Sequence, residues 1–280
     1  MFWTLATLLV TSLIEVVSSS QHDHCSWIDS GPADSKAQDV RLVQLSCSDG
    51  HLVWNYPERA LLAKLQAPAI SDHRHHQFCV RLMRNDPDVS FFSQNETTLV
   101  PLDAGADELC FRSIDGLSLY VQKFDVSRVV RKTWVGFYYS VRPEVNPGLA
   151  PSIVSATTCQ PCSPEQIAEA FCSAELVFKG RPIEQAPSDG RAYRQLKFRV
   201  SKLLRKPLQH ANVLSRDRKK SATVYVRSEC GVDLSSGERP QLLVMAEMHV
   251  GRAKVVCAPL WSDFETSLPK LQRSAACQLS

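Results

Sequence analysis

Cys159-Gln-Pro-Cys-Ser-Pro-Glu-Gln-Ile-Ala-Glu-Ala-Phe-Cys172 is the stretch from which the second half of the chain is read. Ser163 suits a helix N-cap, Pro164 suits the first helical position, and Gln166 completes a capping box. Ile167, Ala170 and Phe171 then share one helical face, with Cys172 in the same turn. The run Ser173 to Gly180 follows as a strand ending at a glycine. Two chemical readings of Cys159-x-x-Cys162 fit poorly. A redox pair wants a buried apolar strand before it, and Ser155-Ala-Thr-Thr158 is not one. A zinc site wants a second closely spaced Cys or His pair, and none follows. Structural disulfides are the better reading.

The chain has ten cysteines, four before a proline-rich seam and six after it. The seam is Arg142-Pro-Glu-Val-Asn-Pro-Gly-Leu-Ala-Pro-Ser152, whose prolines and glycine break regular structure. An even number on each side lets each half close its own bridges, the pattern of two stapled extracellular domains. Phe2 to Val17 is apolar but for a few hydroxyls and Glu15, and Ser18 to Ser20 supply small residues for cleavage. No Lys or Arg precedes the run, yet it is short for a membrane span. The expected layout is a signal peptide at 1–20, a first domain at 21–142, a linker at 143–152 and a second domain at 153–280. A secreted, extracellular product follows from this layout, with no later membrane insertion. The formal charge is +3, and becomes +4 once Glu15 leaves with the signal. That mild balance does not point to nucleic acid. Outside the cell the relevant polyanions are sulfated glycans and cell surfaces.

The first half reads as β. Val40 to Leu45, His51 to Trp54, Ser90 to Phe92, Leu117 to Phe124 and Thr133 to Val141 are short β-branched and aromatic runs between turns. In the last, Val135, Phe137, Tyr139 and Val141 form a wholly apolar face opposite Trp134, Gly136, Tyr138 and Ser140. Strands at this spacing suggest an antiparallel sandwich. Asp86 and Asp88 read as solvated turn carboxylates and not as a calcium site. His73, His75 and His76 read as an exposed polar loop beside Arg74, not as a metal site. Asn95-Glu-Thr97 is the single N-glycosylation sequon, placed at a strand end. Neither metal nor cofactor is expected.

Basic residues gather in the second half: Arg191, Arg194, Lys197, Arg199, Lys202, Arg205, Lys206, Arg216, Arg218, Lys219 and Lys220, with Asp217 the one acid among them. Leu196, Phe198 and Val200 alternate with Lys197 and Arg199, so a strand here buries the first set and exposes the second. The face is either a polyanion-binding surface or an ordinary solvated strand with a mobile hairpin tip.

Larger resemblances join these pieces. Cys47-Ser-Asp-Gly-His-Leu-Val-Trp-Asn-Tyr-Pro57 and Trp134-Val-Gly-Phe-Tyr-Tyr-Ser-Val141 resemble the opening and closing strands of a CUB domain. Cys-x-x-Cys, a short helix, Phe-Cys and a strand near Lys-Gly resemble a netrin-like (NTR) domain, an OB-type barrel with packed helices. With Cys25-Ser-Trp27 and Gly251-Arg-Ala-Lys-Val-Val-Cys-Ala-Pro259, the order of the two units resembles the meteorin family. The first four cysteines fit the bridges Cys25–Cys47 and Cys79–Cys110. The resemblance implies Cys159–Cys230, Cys162–Cys257 and Cys172–Cys277 for the rest, which spacing alone leaves among fifteen connectivities. It also implies a mainly β chain, a CUB-like sandwich and then an NTR-like barrel, acting as a secreted factor on glia, on neurite growth or in hormone-like roles. The implied partner is a cell-surface receptor, with heparan sulfate and a homodimer left open. No nucleophile elbow, Walker loop or His-Glu-x-x-His occurs, so the expectation is no catalysis. The alternative is a matrix, heparan-sulfate-binding or protease-regulating module. Some NTR domains chelate a protease zinc with a free cysteine α-amine, but Thr158 makes the Cys159 nitrogen an amide.

Overall fold

The computed structural model describes residues 25–30, 40–68, 75–95, 97–124, 132–144, 162–187, 193–207, 213–215, 220–228, 230 and 239–271. The expected signal peptide, most of the linker, His73, Cys159, Arg191, Arg216, Arg218, Lys219 and Cys277 lie outside these residues.

The chain is mainly β. Its first half supplies β1 (Ser26–Ser30), β2 (Arg41–Leu45), β3 (Asp49–Asn55), β4 (Ala60–Leu65), β5 (His76–Arg84), β6 (Val89–Asn95), β7 (Thr98–Pro101), β8 (Leu109–Ser113), β9 (Leu117–Lys123) and β10 (Trp134–Pro143). Two five-stranded sheets form, ordered β1-β3-β10-β5-β8 and β2-β4-β9-β6-β7. They share one core. Trp27, Leu52, Trp54, Phe78, Val80, Phe137 and Tyr139 come from the first sheet, and Val43, Leu45, Leu61, Phe91, Leu119 and Val121 from the second. Period-2 alternation explains the pattern, since one face of each strand meets the facing sheet. On β10 the apolar face Val135, Phe137, Tyr139 and Val141 is buried. Its other face is covered as well at Ser140, on which His249 and Val250 of the second half pack.

The second half folds from α1 (Pro164–Ser173), β11 (Leu176–Gln185), β12 (Tyr193–Arg205), β13 (Leu214–Ser215), β14 (Ser221–Arg227), β15 (Leu242–His249), β16 (Arg252–Cys257) and α2 (Trp261–Leu271). Strand order β12-β11-β15-β16-β14-β13, with a further β12–β14 pairing, closes five strands into a barrel and hangs β13 on its rim. Leu176, Phe178, Leu196, Phe198, Val224, Val244 and Met248 fill the interior. The opposite faces of β11 and β15 are buried too, as Val177, Leu243 and Met245 lie under Ile167, Phe171 and Phe264 of the two helices. The Phe171 and Phe264 rings are 5.1 Å apart.

Ser163 caps α1 as its sequence indicates. Its hydroxyl accepts from the Gln166 N–H, and the Gln166 side chain accepts from the Ser163 N–H at 2.8 Å. Ser163→Ala is expected to cost about 1 kcal/mol, read as a lower midpoint of thermal unfolding. An unchanged midpoint contradicts the capping role.

Three local expectations need correction. The strand after α1 does not end at Gly180 but runs to Gln185. Gly180 instead marks a register shift, where a Cβ would lie 2.8 Å from the Arg199 carbonyl oxygen. His76 is not in an exposed loop. It opens β5, is buried, and sits edge-on to Phe78 with ring centroids 6.4 Å apart. Asp86 is not a solvated carboxylate. It is buried, receives the Lys123 ammonium at 2.5 Å and accepts the Asp88 N–H at 3.1 Å. A lysine in that position supplies the positive charge that a buried carboxylate needs.

Disulfides join Cys25 to Cys47, Cys79 to Cys110 and Cys162 to Cys257. Cys79 and Cys110 stand directly opposite on β5 and β8. Cys172 and Cys230 are also disulfide-bonded. The partners that the resemblance assigns to them, Cys277 and Cys159, lie outside the described residues.

Candidate functional site: a basic barrel face and the hairpin that joins the halves

β12 exposes the cations that alternation assigns to it. Leu196, Phe198 and Val200 are buried, while Lys197 and Arg199 point outward, and an irregularity in the pairing beyond Val200 turns Lys202 outward as well. Lys206 and Lys220 are exposed too. Arg194 is half-buried. Arg205 serves the fold: it donates to the carbonyls of Phe171, Cys172 and Ala174 at 2.9, 3.2 and 2.7 Å. These are the free acceptors at the end of α1, which a guanidinium satisfies well. Residues of β11 complete the face. Arg181 is exposed opposite Arg199, and Lys179 lies opposite Lys202 with its ammonium 3.9 Å above the Trp261 ring. Local reading of the basic run misses both, because β11 lies a loop away in sequence.

The second feature is the turn between β15 and β16. His249 pairs with Arg252, and Val250 and Gly251 form the two-residue turn with φ of 43° and 74°. A hairpin of this length wants both central residues left-handed. The turn docks on the outer face of the first sheet. The Val250 N–H donates to Ser140 Oγ at 3.3 Å, and its carbonyl accepts from Arg81 Nε at 3.0 Å. Gly251 lies against the Tyr138 ring, on which the Arg81 guanidinium also stacks at 4.7 Å. Arg142 reaches the Met248 carbonyl at 2.8 Å and Asp49 Oδ2 at 2.6 Å.

Charge concentrates at Glu108, just before β8. One carboxylate oxygen meets His249 Nε2, and the other meets Lys254 Nζ at 3.1 Å. His249 Nδ1 lies 3.0 Å from Ser140 Oγ. Beside it, Asp107 takes both terminal nitrogens of Arg252 at 2.6 and 2.7 Å, a bidentate pair. Burial pushes Glu108 up, but the hydrogen bond and charge of His249 and the Lys254 ammonium outweigh it and hold the carboxyl at about 2. Burial dominates at Asp49, and Arg142 offsets only part of it, so that carboxyl is pushed up to about 6. Cys79 Sγ, Glu108 and His249 lie close enough to suggest a metal. The Cys79 sulfur is committed to its disulfide, and Lys254 already supplies the cation. The cluster is an interface lock.

A cleft of about 720 Å³ opens at Asp49, between Ser46 to Asp49 on one side and Cys172 to Glu175 with Arg205 to Pro207 on the other. At the far edge of the sandwich, Asn95 is exposed at the tip of the β6–β7 hairpin, where it pairs with Thr98. That position is open to a glycan. No helix among the described residues is long and apolar enough to cross a membrane.

Sequence comparison places these two units together. The profile "Meteorin-like protein N-terminal domain" matches residues 27–151, and "Meteorin, C-terminal domain" matches residues 161–270. The chain is 27% identical over 260 residues to a Meteorin-like protein of Rattus norvegicus, covering 89% of this chain and 80% of that one. A Meteorin-like protein of Danio rerio is 28% identical over 271 residues, 93% of this chain and 91% of that one. Meteorin of Mus musculus is 26% identical over 274 residues, 92% of each. With both halves matched in order, and the docked hairpin inside the second match, this chain belongs to the meteorin family.

Proposed function

We propose that this chain is a secreted signalling factor that acts through a cell-surface receptor and carries out no catalysis. The observation that carries the reading is the match of both halves to proteins named Meteorin-like and Meteorin. The described disulfides support an oxidising compartment, where such bridges persist. The clustered polar groups at Glu108, His249 and Ser140 pair with one another across the two halves, so they serve docking rather than a substrate. Recognition then falls to exteriors. The target responses are glial differentiation, neurite growth or hormone-like signalling.

The test is direct. Protein purified from culture medium is expected to trigger receptor phosphorylation on glial or neural cells within minutes, in a dose-dependent way. Protease inhibition without such signalling contradicts the reading and favours a protease-regulating module.

A further inference from the structure

The strand pair β11–β12 contains its own comparison. Side chains directly opposite on an antiparallel pair share a face and interact. At one rung Glu184 faces Lys197, with ammonium and carboxylate 3.6 Å apart. The following rungs reverse that logic. Arg181 faces Arg199, and Lys179 faces Lys202. Like charges placed opposite one another destabilise a sheet. No acidic side chain pairs with any of these four among the described residues.

The surroundings add donors rather than acids. On the other side of β12, Ser221 lies opposite Arg199 and Thr223 opposite Lys197, with exposed Lys220 next in line. Trp261 holds the Lys179 ammonium in place, so this charge is positioned rather than loose. The result is a narrow stripe of cations, two strands wide, that carries repulsion until an anion neutralises it. Guanidinium forks such as Arg181 and Arg199 suit sulfate and carboxylate groups, which they grip with two hydrogen bonds.

We propose that the rungs Arg181–Arg199 and Lys179–Lys202 bind a linear sulfated polysaccharide of the heparan sulfate type. A rod bearing repeated anions fits a stripe on which alternate residues recur about every 7 Å. A membrane presents a plane, and exposed Leu203 and Leu204 beside the stripe make anionic vesicles the necessary rival in the test. The proposal rests on the extracellular location argued above and not on receptor signalling, so either can fail alone.

The experiment compares the full secreted chain with its Arg181→Gln/Arg199→Gln double variant. Binding to a heparin oligosaccharide is expected to weaken about tenfold. The salt needed for elution is expected to fall more from immobilised heparin than from a plain sulfopropyl matrix. The thermal midpoint of the variant should be equal or higher, because a repulsive rung is gone, and this reports that it folds. The oligosaccharide should raise the midpoint of the wild type more than that of the variant at the same concentration. Arg112→Gln, an exposed cation of the first half, should leave heparin binding unchanged. Wild-type heparin affinity in the double variant overturns the proposal. So does an equal loss on both matrices, or binding to phosphatidylserine vesicles that heparin does not displace.

Discussion

Gly251→Val is expected to destabilise the chain by about 4 kcal/mol and to split its thermal unfolding into two transitions. Two causes act together. Gly251 has φ of 74°, where a β-branched residue is strained. A Cβ there would lie 2.4 Å from the Tyr138 ring, which is pinned beneath Arg81. The ring must move, and the stack with Arg81 and the bond from Arg81 to the Val250 carbonyl move with it. The turn then leaves the first sheet, and the two cores lose their mechanical link. Gly251→Asn separates the causes, since asparagine tolerates this backbone region but still carries a Cβ. It should recover the backbone part and keep the uncoupling. Calorimetry of the purified proteins reads both effects. One unshifted transition in the valine variant contradicts the docking role of the turn.

Glu108→Ala is the second large effect, about 3 kcal/mol at neutral pH. The carboxyl is held near 2 in the fold against an ordinary value of 4.5. A carboxylate held low stabilises the fold fully above its unfolded value and loses that contribution as pH falls toward its folded value. The loss therefore belongs to the window from about 4.5 down to about 2. Removing Glu108 also strands Lys254 and His249, whose side chains are only 19% and 20% exposed, without their anion. Asp49 acts in the opposite sense. Its folded value of about 6 lies above the ordinary 3.8, so the fold keeps a proton that the unfolded chain has released. Stability falls as pH rises through that interval, and the full penalty stands above it. Acidification from neutrality is thus expected first to firm the interface at Asp49 and then, below about 4.5, to loosen it at Glu108. Urea unfolding across pH should show the alanine variant losing the low-pH decline. A variant that declines in parallel with the wild type shows that Glu108 does not lock the halves.

The sequence announces what local periodicity can announce. β10 and β12 alternate cleanly, and the Ser163-Pro-Glu-Gln166 box marks α1, so one core face of each half is legible from the residues alone. β5 is not, although it is a central strand. His76-Gln-Phe-Cys-Val-Arg-Leu-Met-Arg84 mixes histidine and arginine into an apolar run. Burial by two sheet neighbours and a docked hairpin makes sense of Arg81, while a local reading sees a basic loop. β7 is hidden for another reason: its four residues are all exposed, and only pairing with β6 makes it a strand. The interface lock is the least legible element. Glu108 and His249 stand 141 positions apart, and nothing near either residue points to the other. The basic face is half legible. Alternation names Lys197 and Arg199, but only strand register sets Arg181 and Lys179 opposite Arg199 and Lys202.

The premise is a pair of β units, each stapled within itself and held to the other without a disulfide bond. Peptide mapping of the secreted protein under non-reducing conditions tests that presumption most directly. The expected fragments carry Cys25 with Cys47, Cys79 with Cys110, and Cys162 with Cys257. A fragment joining any of Cys25, Cys47, Cys79 or Cys110 to a cysteine beyond residue 158, or free thiols at those positions, contradicts the account.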